Sequence, residues 1–202
     1  MATKERLLAH LLSAPNQWFS GQSLADQLGV SRESVWKAIR SLQQAGYQID
    51  SDRKRGYCYR GTAKMLAPVI ELGLGTTKVK LVVEEELEST QTTARQLLAT
   101  GDSTAPLVVI ADHQIGAYGR RGRAFYAPKA TGLYMTIGVP NVTFPGQPGL
   151  LTTGVAVTVA TVLKRFFPAQ RLSYKWVNDL YLGHQKVVGI LTEMQTDLEE
   201  SH

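Results

Sequence analysis

Apolar residues Leu7, Leu8, Leu11 and Leu12 fall on one helical stripe, and Pro15 closes the stretch, so the pattern predicts an amphipathic helix. A short second helix is expected at about Ser23–Leu28. Gly29-Val30-Ser31 then forms a tight turn in which Ser31 is a good N-cap, and Val35, Ile39 and Leu42 recur at helical spacing until Gly46 stops the element. The opposite face of that third helix carries Arg32, Ser34, Trp36, Lys37, Arg40 and Gln43. Beyond it, Tyr47-Gln48-Ile49-Asp50 and Tyr57-Cys58-Tyr59-Arg60 alternate like strands around a cationic tip, Ser51-Asp52-Arg53-Lys54-Arg55-Gly56. Residues 1–62 are therefore expected to be one module.

Residues 63–80 contain Pro68 and Gly73-Leu74-Gly75 and predict a linker with a helical turn. A strand starts at Val79–Val83, Ser89-Thr90 precede a helical run at Thr93–Ala99, and Leu107–Ala111 and Gly132–Val139 are further strands. Gly149–Phe167 predicts a long helix whose small residues permit close sheet packing. Leu172–Trp176, Leu180–Leu182 and Lys186–Met194 predict three more strands, the last two joined by Gly183-His184-Gln185. Strands in hairpins with few helices argue for an α+β fold, a mixed sheet flanked by helices, over residues 81–202.

Charge sharpens the division. The net charge is +5, and residues 1–62 hold nine Lys+Arg against five Asp+Glu while residues 63–202 hold thirteen against twelve. The concentration of positive charge beside a helix-turn-helix and a basic hairpin suits a polyanionic partner such as DNA: the third helix would enter a major groove and the wing would add phosphate or minor-groove contacts. Arg32, Ser34, Trp36, Lys37, Arg40, Arg53, Lys54 and Arg55 are the candidate contacts. A three-helix module for protein contacts is the competing reading, and Trp36 would serve an interface or a core equally well.

With 44% apolar residues the chain can bury a substantial core. No run reaches the 18 or more apolar residues needed to cross a membrane, and Met1-Ala2-Thr3-Lys4-Glu5-Arg6 lacks a signal-peptide layout, so a cytoplasmic protein with no membrane partner is expected. Cys58 is the only cysteine, which excludes an internal disulfide and argues against a cysteine-based zinc site.

The densest chemistry is Gly119-Arg120-Arg121-Gly122-Arg123. Glycine lets backbone N–H groups approach a ligand, and each guanidinium offers planar, permanently charged donors to phosphate or carboxylate oxygens. Alone, the pentapeptide is either an anion cradle or a solvated basic loop. Downstream stand Lys175-Trp176-Val177-Asn178-Asp179 and Lys186-Val187-Val188-Gly189-Ile190-Leu191-Thr192-Glu193.

With the winged module, the Glu88-Ser89-Thr90 entry and the Gln114–Arg123 loop, these motifs occur in the order found in bifunctional biotin protein ligases that double as biotin operon repressors, and the chain resembles that family over nearly its whole length. The resemblance implies a winged helix-turn-helix domain followed by a class II synthetase-like biotin/lipoate ligase catalytic domain. It implies that ATP and biotin form biotinyl-5′-adenylate and pyrophosphate. The biotinyl group then passes to a lysine of the biotin carboxyl carrier protein of acetyl-CoA carboxylase. It also implies a ligand-promoted homodimer that represses biotin synthesis genes when no acceptor is waiting.

Carried over by position, Lys175 and Arg120 are the catalytic candidates. Lys175 would bridge the biotin carboxylate and the α-phosphate, and Arg120 would clamp the adenylate. Ser89, Thr90, Gln91, Gln114, Tyr118, Gly119, Arg120 and Lys175 match the biotin site, whose uncharged ureido ring needs hydrogen-bonding partners when buried. Arg120, Arg121, Arg123, Phe125 and Asn178 match the ATP and adenylate site, with Phe125 as a stacking surface for adenine. Asp179, with Asn178, is the candidate to help hold Mg2+ on the triphosphate, or else caps a turn. Read singly, a serine or threonine here is as well explained as a helix cap, Phe125 as core, and Lys175 as a strand end.

Three departures stand out. The family loop reads Gly-Arg-Gly-Arg-Arg-Gly, but its first two positions here are Ala117 and Tyr118. Val177 replaces the usual proline. The chain stops at His202, after a polar run Thr196–Ser201, where the family continues with a Gly- and Asn-rich strand and a small β-barrel, so an incomplete catalytic domain is expected. The alternatives are a catalytically impaired biotin-sensing regulator and a lipoate ligase relative.

Overall fold

The computed structural model describes residues 2–100, 104–140 and 148–194, and the polar run Thr196–Ser201 lies outside them. The chain divides into two compact units, Met1–Ile115 with Ala127–Gly138, and Gly116–Tyr126 with Val139–His202.

The first unit opens with α1 (Thr3–Ser13), β1 (Trp18–Phe19), α2 (Gly21–Leu28) and α3 (Arg32–Gln44). The leucine stripe faces inward: Leu7, Leu11, Leu24, Val35, Ile39 and Leu42 are buried in one cluster with Ile49 and Tyr59. Each such side chain contributes about 1.5–3 kcal/mol by leaving water. Ser31 caps α3 as expected, its hydroxyl accepting from the Ser34 N–H. Helix α2 begins two residues earlier than the periodicity suggested. The Ser20 hydroxyl accepts from the Ser23 N–H, so Gly21 and Gln22 lie inside the first turn.

The hairpin is longer than its alternation indicated, with β2 (Tyr47–Asp52) antiparallel to β3 (Gly56–Thr62). Its tip shrinks to Arg53-Lys54-Arg55, held by Asp52, whose Oδ1 accepts from the N–H groups of Lys54 and Arg55. Strand β1 pairs with β3 on the other side, an addition too short to carry periodicity. Gly56 is what admits it. Its φ is +95°, and a Cβ there would lie 2.0 Å from the Phe19 carbonyl oxygen.

After α4 (Ala67–Leu74), which replaces the expected single turn, β4 (Lys80–Leu87) runs parallel to β5 (Leu107–Gln114), and β6 (Tyr134–Gly138) pairs antiparallel with β5. This is the mixed sheet. Helix α5 (Thr90–Ala99) covers it, burying Ala94 with Leu107 and Val109.

In the second unit, α6 (Pro148–Phe166) buries Ala156 and Ala160 against Leu180, the small residues allowing the close approach. Strands β7 (Leu172–Lys175), β8 (Asp179–Leu182) and β9 (Gln185–Gly189) form an antiparallel sheet in that order. Strand β9 stops at Gly189, where the sequence suggested continuation to Met194. The Asn178 carbonyl accepts from the Ile190 N–H, and residues 191–194 leave the ladder.

Candidate functional site

In the first unit, one face of α3 stays outside the core. Arg32, Trp36, Lys37 and Arg40 are exposed, with Trp36 at 51% and the Arg40 guanidinium 5.8 Å from its ring. A half-exposed tryptophan on such a face is not core, which removes one of the readings its sequence allowed. Ser34 is half-buried and its hydroxyl lies 2.9 Å from that of Ser31. Lys37 pairs with Glu33 at 2.7 Å, and this exposed ammonium holds the Glu33 carboxyl below its ordinary range. Gln43, grouped with this face by its spacing, is turned inward. Its amide donates to the Ile49 carbonyl at 2.7 Å and ties α3 to the wing.

On the wing, Arg53 and Lys54 are exposed, whereas the Arg55 guanidinium carbon lies 4.0 Å from the Trp18 ring centroid and its Nε 3.8 Å from Asp52.

At the ends of β4 and β5 lies a polar cluster. Ser89 is the N-cap of α5, its hydroxyl accepting from Thr92 N–H, and both Ser89 and Thr90 are almost fully buried. The Gln114 Oε1 accepts from the Thr90 N–H at 2.7 Å and from the Thr90 hydroxyl at 3.1 Å. Thr136 on β6 donates to the Thr90 hydroxyl at 2.9 Å and lies 3.1 Å from Gln91 Oε1. Four residues predicted for one site are thus gathered by α5 and β5. Thr136 was not foreseen; its strand was expected, but not its part in a site.

The arginine run, in the second unit, is a closed strap. The Gly119 N–H donates to the Arg123 carbonyl at 2.8 Å, the Phe125 N–H to the Ala117 carbonyl at 2.9 Å, and Tyr118 bridges Ala124 antiparallel. Between them Arg120–Gly122 make a 3-10 turn. Only one of the two glycines supplies the left-handed bend expected of it. Gly122 has φ +69°, Gly119 is extended, and the other left-handed residue is Arg121 at φ +60°, ψ +31°. All three guanidinium groups are exposed, whereas Ala117 is buried at the neck of the strap. Such an array suits an anion.

Residues 83–201 match the biotin/lipoate A/B protein ligase family, and residues 3–58 match the HTH domain family. The chain belongs to the biotin/lipoate A/B protein ligase family. The curated relatives include the bifunctional ligase/repressor BirA of Bacillus subtilis, 34% identical over 97% of this chain, and that of Escherichia coli, 28% identical over 91%. The chain spans 61% and 56% of their respective lengths. A solved structure of biotin protein ligase from Aquifex aeolicus in complex with biotin and ATP is 28% identical, with TM-score 0.49, over 58% of this chain and 48% of that one.

Within the ligase-family segment, Lys175 ends β7, exposed, with its ammonium 5.9 Å from the Tyr181 ring. It sits opposite Asp179 in the β7–β8 register. Asp179 in turn takes an ion pair from Lys186 at 2.8 Å. The Lys186 ammonium also lies 5.7 Å from the centroid of Phe125. Lys186 therefore joins the candidate residues of the family fold, and its signal was its place in the Lys186–Glu193 motif. Asn178 is half-buried, donating its amide to the Ile190 carbonyl at 3.0 Å. Among the described residues no group of three or more His, Cys, Asp or Glu side chains could hold a metal, and no helix is long and apolar enough to cross a membrane.

Proposed function

We propose that the protein is an ATP-dependent biotin ligase that also binds operator DNA. It would form biotinyl-5′-AMP and pass biotin to a lysine of the biotin carboxyl carrier protein of acetyl-CoA carboxylase. The observation that carries the reading is the Ser89–Thr90–Gln91–Gln114 cluster, with Ser89 and Thr90 buried and the two glutamines half-buried, in a chain of the biotin/lipoate ligase family. Hydroxyls and amides already oriented by one another can present donors and acceptors to a small uncharged polar ring at little further ordering cost.

Attack of a carboxylate on the α-phosphorus of ATP brings anions together, so most of the catalysis must be positioning and charge neutralisation. Lys175 is assigned to the biotin carboxylate and α-phosphate. Arg120, with Arg121 and Arg123, is assigned to the adenylate, Tyr118 and Gly119 to the biotin side of the strap, and Phe125 to the adenine face. Asn178 keeps its side-chain oxygen for the nucleotide. Magnesium would neutralise charge on the phosphates of ATP, since a hard cation prefers oxygen ligands. Asp179, already paired with Lys186, would be its outer partner.

Arg32, Ser34, Trp36, Lys37 and Arg40 on α3 are assigned to the DNA groove, the wing residues Arg53 and Lys54 to the backbone, and Arg55 to holding the wing tip against Trp18. Residues 1–62 act as the regulatory module, 63–80 as the connection and residues from 81 as the catalytic part. Adenylate-promoted dimerisation in the cytoplasm, leading to repression of biotin synthesis genes, completes the proposal.

Biotin-dependent exchange of labelled pyrophosphate into ATP, measured on the protein in its natural length, tests it. Exchange that falls about a hundredfold or more in Lys175→Ala is expected. One observation favours a second reading, a biotin sensor without turnover: Ala117 and Tyr118 stand where the family loop has glycine and arginine, and the Tyr118 hydroxyl is engaged with Glu193. Biotin binding without any exchange would establish that reading in place of the first.

A further inference from the structure

The backbone bonds that close the strap fix its shape but not its place on the second unit. Two side chains do that, one from each leg. On the outgoing leg, the Tyr118 hydroxyl donates to Glu193 Oε2 at 3.3 Å. On the returning leg, Phe125 lies against Gly189, where a Cβ would approach its Cε2 to 3.1 Å, with the Lys186 ammonium 5.7 Å from the ring. Both anchors belong to β9 and the residues just after it. The strap carries three exposed arginines within four residues, whose mutual repulsion favours an open loop. A strap left to its backbone bonds alone would gather those charges only when an anion arrived.

We propose that Tyr118 is a positioning residue: by hydrogen bonding Glu193 it fastens the arginine strap to the β9 side, so that Arg120, Arg121 and Arg123 form a cradle before the ligand binds. Tyr118 replaces charge with attachment. A phenol brings no cation to the ligand, but it holds the neighbouring guanidinium groups where they meet an acyl-phosphate, which lowers the ordering cost of binding. The consequence for the reaction, retention of the reactive adenylate, rests on the ligase reading above. The latch itself does not.

Two measurements separate these. Trypsin cuts after arginine, so the rate of cleavage at Arg120, Arg121 and Arg123 reports strap opening without any ligand, with cleavage at Arg171 as the reference. Tyr118→Phe and Glu193→Ala should each speed strap cleavage roughly fivefold, the loss expected for one hydrogen bond of ordinary strength. The double variant should be no faster than either single one. Strap cleavage at the wild-type rate in Tyr118→Phe, or effects that multiply in the double variant, would overturn the latch.

In the second measurement, release of biotinyl-adenylate in the absence of acceptor should rise by a similar factor in Tyr118→Phe and in Glu193→Ala. An adenylate held as firmly as in wild type would overturn the retention role. Loss of protection from trypsin in a protein that never forms adenylate would leave the latch standing and remove the ligase reading instead.

Discussion

The Arg55 guanidinium carbon lies 4.0 Å from the Trp18 ring centroid and fastens the wing tip to β1. With Asp52 3.8 Å from its Nε, Arg55 spends its charge inside the module. Among the described residues, the Arg53 and Lys54 side chains meet no such partner.

The three cations should therefore separate in a salt titration of DNA binding. Arg53→Ala and Lys54→Ala should each lower the slope of log affinity against log salt by about 0.9 and leave the melting temperature alone. Arg55→Ala should cost about 0.5–1 kcal/mol of stability and weaken binding with an unchanged slope. A reduced slope in Arg55→Ala would place its charge on a phosphate after all.

Thr90 is the hub of the polar cluster, donating its hydroxyl to Gln114 and accepting from Thr136 while almost fully buried. Thr90→Val keeps the volume and deletes both bonds, leaving the half-buried Thr136 hydroxyl and one Gln114 lone pair with reduced pairing. A loss of about 1–3 kcal/mol in denaturant unfolding is expected. If the cluster binds biotin, KM for biotin should rise with kcat little changed, and Thr90→Ser should restore both. Ser89→Ala offers a contrast: loss of a helix cap costs about 1 kcal/mol whether or not biotin binds.

How far the sequence disclosed this arrangement depended on how far each signal reached along the chain. The leucine stripe of α1, the Ser31 cap and the 2-residue alternation of the wing are local, and all three elements stand where they were expected. The three strands between Leu172 and Gly189 were equally visible, because antiparallel neighbours follow one another directly, although the last ends at Gly189 and not at Met194. What periodicity could not show was decided by contacts distant in sequence. Strand β1 exists because β3 and Gly56 receive it, and Gln43 faces inward because the Ile49 carbonyl is there to accept from it. The candidate residues Ser89, Thr90, Gln91 and Gln114 were legible only through family resemblance. Their spacing spans a helix and a strand, and no local rule ties Thr90 to Gln114 across 24 positions.

Glu85 on β4 joins Lys129, 2.9 Å away, and Lys64, 3.5 Å away, across three segments of the first unit. The hydrogen bond and charge of Lys129, followed by those of Lys64, hold the Glu85 carboxyl below its ordinary range, and Glu85 holds the Lys129 ammonium above its own. A depressed carboxylate contributes stability that is present above the unfolded-state value and disappears as pH falls through the folded-state one. Melting temperatures taken from neutral to acid pH should thus fall more steeply in wild type than in Glu85→Gln, the two curves meeting once Glu85 is protonated in both states. The difference should be small and should shrink with added salt, since all three groups are solvent-exposed. Parallel curves would mean that the network contributes nothing to folding.

Arg121 sets stability against binding within one residue. Its backbone occupies the left-handed region at φ +60°, which a residue with a Cβ enters at a cost of about 1–2 kcal/mol and glycine enters freely. If the bend serves only the turn, Arg121→Gly should stabilise the strap and leave nucleotide affinity intact. The geometry argues otherwise, because the same bend presents an exposed guanidinium between those of Arg120 and Arg123. Arg121→Gly should slow tryptic cleavage at Arg123 while weakening binding of a non-hydrolysable adenylate analogue severalfold. Arg121→Asn, which tolerates the left-handed region without supplying charge, should weaken binding to the same degree with a smaller gain in protection. Isothermal titration with the analogue and timed proteolysis of the three proteins would separate the two contributions. Undiminished affinity in both variants would show that the arginine serves the turn alone.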